Sequence, residues 1–374
     1  MKIVEVHPYT VRYPEPNDNG SLRYLTFCRV RADDGTCGWG EAIAQFEAAA
    51  IASSQLIRDL GDQLVGRDPM ANVAIWRDLK RATWWYGYRG GIASFAISAI
   101  DIALWDLKGK LLEQPLVKLL GGAVRDSLPV IASTHAFHPS LEEEAERHSR
   151  YVQELGYQGV KIGMGKAGQA HLGYDIDRDV SFVRLLRQAV GPSAMIMMDR
   201  GQSLPWTVAD AIRRTIAFDE YDLTWIEEPL EPYDVAGFLR LRQQVRCLVA
   251  SGEREWTADG FRAFMDTGVA DVIGCDVGRA EGVTGVLKVI EAVEARHLWF
   301  NSHAWSSAVN TAASLALSAI TERCLVQELK PDPNPMQNEL VSQPFVPTNG
   351  LISVPQAPGL GVEVDEAALR RYLI

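Results

Sequence analysis

Three acidic residues, Asp199, Glu227 and Glu253, close successive short apolar runs in a chain of 374 residues. Carboxylate oxygens are the hard ligands that Mg2+ takes, and three of them leave octahedral positions for water and a substrate. Asp276 and His303 close two further consecutive runs. A carboxylate beside an imidazole accepts its N–H, fixes the tautomer and makes the other ring nitrogen a base. Lys161 closes an earlier run, as a candidate base whose proton a nearby cation loosens, or as a counter-ion for the acidic groups. Glu328 closes the last run, where a neutral carboxyl would donate to a developing enolate and an ionised one would help balance charge. A proton α to a carboxylate is too weakly acidic for a side-chain base unless the dianionic enediolate is stabilised, and a metal with cationic donors supplies that. The expected chemistry is therefore Mg2+-assisted removal of an α-proton from a small carboxylic acid.

Other polar residues are less sharply placed. His135 and His138 follow the first run and are candidates for substrate contact or for an ordinary loop role. Lys166, Arg279, Trp84 and Trp85 are further candidates for substrate or auxiliary roles, the aromatic faces suiting the C–H faces of a polyol as well as a core. Glu228 must point away from Glu227 along the same strand and reads as structural. His7, His148, His171 and His297 read as surface or packing residues. Cys28, Cys37, Cys247, Cys275 and Cys324 form no CxxC pair and read as unreactive thiols.

The groups need elements to hold them. The segments Ile3 to Val6 and Tyr24 to Val30 read as strands, joined by a Pro- and Gly-containing stretch, Tyr13 to Gly20, expected to be a mobile flap. Helical periodicity follows from Phe46 to about Gly122; Ile92, Phe95, Ala96, Ala99, Ile100, Ala103, Leu104 and Leu107 recur three and four apart, and Pro115 marks the end. After Val124 come the apolar runs, Leu128 to Thr134, Gly159 to Gly163, Met195 to Asp199, Leu223 to Glu227, Cys247 to Glu253, Asp271 to Asp276, Leu298 to His303 and Cys324 to Glu328, each followed by a helical pattern. Eight such units close a parallel barrel, whose reactive groups gather on the rim at the strands' C-terminal ends. The domains expected are residues 1–125, an α+β cap; 126–340, the barrel; and 341–374, a tail packing back on the cap.

A formal charge of −11 argues against nucleic acid or an anionic membrane as a partner, since both need clustered Lys and Arg. No run approaches the roughly 18 apolar residues that span a bilayer, and the start MKIVEVHPYT has a polar break where a signal peptide is apolar, so a cytoplasmic protein is expected.

The segment Ile100 to Lys110, running on to Pro115-Leu116 and Leu119-Leu120-Gly121-Gly122, together with Trp225-Ile226-Glu227-Glu228-Pro229, Gly252-Glu253 and Asp276 with Gly282-Val283-Thr284, resembles the enolase superfamily and within it the mandelate racemase subgroup. The resemblance spans nearly the full chain. It implies a modified (β/α)7β barrel capped by an α+β domain built from both chain ends. It also implies Mg2+ on the carboxylates matching Asp199, Glu227 and Glu253, a His–Asp pair matching His303 and Asp276, and a homo-oligomer. The subgroup's second strand usually ends Lys-x-Lys with the second lysine as base, whereas this chain reads Val160-Lys161-Ile162-Gly163-Met164-Gly165-Lys166. In ungapped register Lys161 matches the auxiliary lysine and Gly163 stands where the base should be; a two-residue slip makes Lys161 the base, and Lys166 could reach back from the loop. Asp199-Arg200-Gly201 has Gly where relatives often carry Asn or His. One missing base speaks for dehydration of a sugar acid to a 2-keto-3-deoxy acid, with a racemase, epimerase or lactone cycloisomerase as the alternative and a silent metal-binding module third. Specificity is expected from the cap, in Tyr13 to Leu22 and Trp84-Trp85-Tyr86.

Overall fold

The computed structural model describes the whole chain, Met1–Ile374. The N-terminal strands β1 (Ile3–Glu15), β2 (Ser21–Ala32) and β3 (Cys37–Gln45) form an antiparallel sheet in that order. Helices α1 (Glu47–Asp62), α2 (Asn72–Ala82) and α3 (Ile92–Leu111) cover it. Ile57, Ile75, Ile100 and Leu107 meet Cys28 and Val30 in a core of their own. Almost every side of α3 is buried, as an all-round apolar helix requires, because one face packs on this sheet and another on the barrel. Trp105 Nε1 crosses that seam to donate to Thr284 Oγ1 at 2.9 Å.

All eight apolar runs are strands: β4 (Ser127–His135), β5 (Gly159–Met164), β6 (Met195–Arg200), β7 (Trp225–Glu227), β8 (Leu248–Ser251), β9 (Val272–Cys275), β10 (Trp299–Ser302) and β11 (Gln327–Leu329). They pair in parallel in the order β10-β9-β8-β7-β6-β5-β4-β11. The bridge between Phe300 and Cys324 joins β10 to the segment leading into β11 and closes the barrel. Period two along the strands sends Met197 and Asp199, Trp225 and Glu227, and Lys161 and Gly163 to the same side in pairs. Ile131, Met197, Trp225, Ala250, Val272 and Val326 cluster together in the barrel, so the space beneath the polar rim is packed. Strand β7 is short because Glu228 turns into the left-handed region at φ 41° and Pro229 has no N–H to continue the ladder.

The tail returns along the molecule. Strand β12 (Leu351–Ser353) pairs antiparallel with β4, and Ile374 donates its N–H to Thr10 O on the edge of β1. The stretch expected to be a mobile flap is docked instead. Glu15 and Asn17 are fully buried, and Lys330 after β11 pairs with Glu15 at 2.6 Å. Asn17 exchanges hydrogen bonds of 2.8 and 2.9 Å with the backbone of Asp332. The reason is charge and backbone pairing that act between the two ends of the chain, which local composition does not display. No helix is long and apolar enough to cross a membrane.

Candidate active site

The rim residues line a cavity of about 610 Å3 between the barrel and the cap. Asp199 and Glu227 are register partners on β6 and β7. Glu253 lies two residues past β8, because Gly252 takes φ 129° and lies against Gly274 O of the next strand; a Cβ there would come within 2.8 Å of that oxygen. A run ending at Glu253 is thus a strand ending at Ser251 plus a glycine turn.

Lys161 sits among these carboxylates. Its Nζ donates to Glu227 at 2.8 and 2.9 Å and to Glu328 at 3.1 Å, with Asp199 3.8 Å away. Burial pulls this ammonium toward neutrality, but Glu227, then Glu328, Asp199 and Glu253 more than offset it and hold its pKa well above the ordinary lysine value. A lysine held this way is a fixed positive charge among the carboxylates. Glu328 is fully buried and accepts from Lys161, from Asn301 Nδ2 at 2.7 Å and from Ser133 Oγ at 3.1 Å. Burial works to raise its pKa, but Lys161, His303 and Asn301 bring it below the usual carboxylate value.

As they stand, no three His, Cys, Asp or Glu side chains close on a common point. Glu253 is turned toward His303 Nε2 and Arg254, each 3.4 Å away, and Lys161 occupies Glu227. The donor chemistry nevertheless fits a hard divalent cation. Burial, together with repulsion from Asp199, Glu328 and Glu253, pushes Glu227 up to about 7 even with the Lys161 ammonium against it. Asp199, Glu227 and Glu253, from three successive strands, carry the oxygen donors such an ion takes.

His303 follows β10 directly. Its Nδ1 lies 2.6 Å from Asp276 Oδ2, and its Nε2 lies on the side of Glu253, with the imidazole lining the cavity. Asp276 is buried and also accepts from Gly278 N and Asn310 Nδ2. Burial raises its pKa, but Arg279 and His303 outweigh that and hold it below the usual range, so it stays ionised, accepts a hydrogen bond from Nδ1–H and leaves Nε2 as the free nitrogen. Arg279 Nη2 lies 3.0 Å from Nδ1, which has no lone pair to accept it while its own N–H points to Asp276, so the guanidinium donates to Asp276 instead. Burial and Arg279 disfavour the imidazolium, but Asp276 and Glu253 prevail and raise the His303 pKa.

The remaining candidates separate. Lys166 lines the cavity with no carboxylate in ion-pair range. A Cβ on Gly163 would fall 3.0 Å from Lys166 Cε and 2.4 Å from His135 Nδ1, so these two side chains fill the space a side chain at 163 would take. His135 is 7% exposed and stacks on Trp305 with centroids 4.7 Å apart. His138 pairs with Glu143 in the first turn of the helix that follows its loop. Trp84 and Trp85 are 61% and 79% exposed and lie outside the cavity lining. The aromatic lining comes from Tyr13, Phe46, Phe95, Trp256 and Trp305 instead. Sequence reasoning also missed Arg23, one residue past the cap loop it singled out, and Arg254, adjacent to Glu253, which pairs with Glu228.

Residues 143–368 match the family described as enolase C-terminal domain-like, and residues 19–121 match the mandelate racemase / muconate lactonizing enzyme N-terminal domain. The chain belongs to the enolase superfamily, in its mandelate racemase branch. It is 33% identical to L-rhamnonate dehydratase of Saccharopolyspora erythraea, over 91% of this chain and 84% of that protein. It is 26% identical to D-galactarolactone cycloisomerase of Agrobacterium fabrum, over 100% and 99% of the two chains. The crystal structure of the 3,6-anhydro-D-galactonate cycloisomerase from Zobellia galactanivorans superposes over the whole of both chains with a TM-score of 0.89 at 28% identity. This superfamily member is therefore an enzyme, with relatives named as dehydratases and cycloisomerases.

Proposed function

We propose that this enzyme is a Mg2+-dependent hydro-lyase that removes the α-proton of a sugar acid and expels its β-hydroxyl, giving a 2-keto-3-deoxy acid. Asp199, Glu227 and Glu253 would hold the ion, which when bound lowers the energy of the enediolate's negative charge. The observation that carries the reading is the 2.6 Å contact of His303 Nδ1 with buried Asp276, which leaves Nε2 free beside the carboxylate cluster. In this reading Nε2 takes the α-proton and the C–H electrons move into the carboxylate. The enediolate then expels the β-hydroxyl, which leaves as water with the proton that His303 carries, and the resulting enol ketonises in solution. Lys161, kept protonated by Glu227 and Glu328, stays as a fixed positive charge for the substrate carboxylate.

A second reading rests on Lys166. The carboxylates sit on the third to fifth barrel strands, His303 follows the seventh and Lys166 the second, so the two flank the cluster from opposite sides. A proton carrier on each flank suits isomerisation, as in a cycloisomerase. Incubation with D-gluconate, D-galactonate, L-rhamnonate and D-galactarolactone, with and without Mg2+, separates them. Mg2+-dependent semicarbazone absorbance from an aldonate supports dehydration, ring opening of the lactone without water loss supports isomerisation, and neither product from any of them refutes both.

A further inference from the structure

On the β4 side of the cavity, away from the carboxylate cluster, the docked cap brings Asp18 and Arg23 against His135 and Trp305. We propose that these four residues form a charge-balanced subsite for the neutral hydroxylated end of the substrate, selecting monocarboxylic sugar acids over the dicarboxylic acids of the same carbon skeleton. The inference rests on the preceding reading only in placing the reacting carboxylate at the Asp199, Glu227 and Glu253 end.

Two cations on this side, Arg23 and Lys330, already have an anion, whereas Lys166 next to His135 has none. Arg23 Nη2 lies 2.6 Å from Asp18 Oδ2, and Lys330 is 2.6 Å from Glu15. A second substrate carboxylate entering between Arg23 and His135 would be stripped of water near Asp18 with no unpaired arginine to receive it, leaving Lys166 as the one cation available to answer it. An alcohol meets no such cost, because a carboxylate and a guanidinium side by side accept from and donate to hydroxyls.

His135 supplies the second observation. It is more than nine-tenths buried, lines the cavity, and neither ring nitrogen has a hydrogen-bond partner; its nearest acid, Asp18, is 3.8 Å from Nε2. Unpartnered buried polar groups are uncommon and costly. Burial, then the positive charges of Lys166 and Arg23, hold its pKa well below the usual imidazole value, so the ring is neutral, with one donor and one acceptor. That is the complement of hydroxyl groups. Trp305 fixes the arrangement, with His135 stacked at 4.7 Å, the Arg23 guanidinium 4.7 Å from its ring centre, and its own Nε1 tied to Ser133 O at 2.9 Å.

The test uses the full-length His303→Asn variant with Mg2+, so that complexes do not turn over, and isothermal titration with two matched pairs, D-gluconate with D-glucarate and D-galactonate with galactarate. Members of each pair differ only in oxidation at the far carbon. The expected result is monoacid binding tighter by about tenfold or more, a preference narrowed or reversed by Asp18→Asn, and monoacid affinity lowered about tenfold by His135→Phe. Glycolate, which lacks the far end, should bind equally with and without His135→Phe, which a merely structural defect would not allow. Equal or tighter binding of the diacids overturns the proposal; if Lys166→Met abolishes that diacid binding, the lone lysine reads the far carboxylate instead. Failure of all four acids to bind overturns it as well. A monoacid preference in an enzyme that forms no keto acid would refute the dehydration reading and leave the subsite standing.

Discussion

Lys161 and Lys166 sit on the same strand and its loop, yet their surroundings assign them different work. Lys161 is enclosed by Glu227 and Glu328, so replacing it with methionine removes a fixed charge from the enediolate and strands two buried carboxylates. Lys161→Met is expected to lower kcat by on the order of a thousandfold, read by the keto-acid assay; an unchanged rate would remove it from the chemistry. At Gly163 even alanine should hurt. Its Cβ would sit 2.4 Å from His135 Nδ1, and that ring cannot swing away while stacked on Trp305. Gly163→Ala is expected to cost about 1–3 kcal/mol of stability by urea unfolding and to weaken sugar-acid binding, whereas tolerance without loss would mean the ring is free to move. At this scale residue type and position in a run sufficed to place the carboxylates on one rim and His303 beside Asp276. They did not suffice for Lys161, whose protonation depends on carboxylates from several other strands. Nor did they suffice for Arg23 and Trp305, which meet only when the cap closes over the barrel.

The elements explain why strand ends were readable and their connections less so. Period two sends alternate residues into the barrel, which makes an acid at the end of an apolar run informative; Glu253 departs only because Gly252 adds a turn. The docking of the cap relies on buried carboxylates with no counterpart in any periodic pattern. Glu41 of β3 accepts from Ser306 and Ser307 just beyond His303, and Asp101 of α3 accepts from Thr284 N and Oγ1 at 2.8 and 2.7 Å. Burial pushes both up to about 7, despite the lowering effect of those hydrogen bonds. An acid whose pKa is higher folded than unfolded binds more protons in the folded state between the two values, so its contribution to stability falls as pH rises from the ordinary carboxyl range to about 7. Glu41→Gln should remove its share of that decline. Between pH 5 and pH 8 the variant should gain on the parent by up to about 3 kcal/mol in urea unfolding, and parallel pH profiles would contradict the assignment.

For the whole molecule, the eight-strand alternation and the helical N-terminal segment were legible because each rests on repeated burial patterns. What the pattern could not convey was closure: the Tyr13 to Gly20 stretch is pinned to the barrel through Glu15, Asn17 and Lys330 and turns an open rim into a cavity. If Asp199, Glu227 and Glu253 hold a divalent ion as proposed, the folded enzyme should be stabilised by it. Mg2+ at 100 times its dissociation constant is expected to add about 2.7 kcal/mol, seen as a raised melting temperature that Asp199→Asn largely abolishes; equal shifts in both proteins would place the ion elsewhere. The most direct test of the central claim is hydrogen exchange at the carbon next to the carboxylate. In D2O with Mg2+, sugar acid recovered at partial turnover from the wild-type enzyme, together with the product, is examined by proton NMR beside the same incubation with His303→Asn. Solvent deuterium at C3 of the keto acid or at the α-carbon of recovered substrate, appearing at a rate reduced by at least about a hundredfold in the variant, is the predicted result. Transfer of the α-hydrogen to C3 without solvent deuterium, or exchange undiminished by His303→Asn, would contradict it.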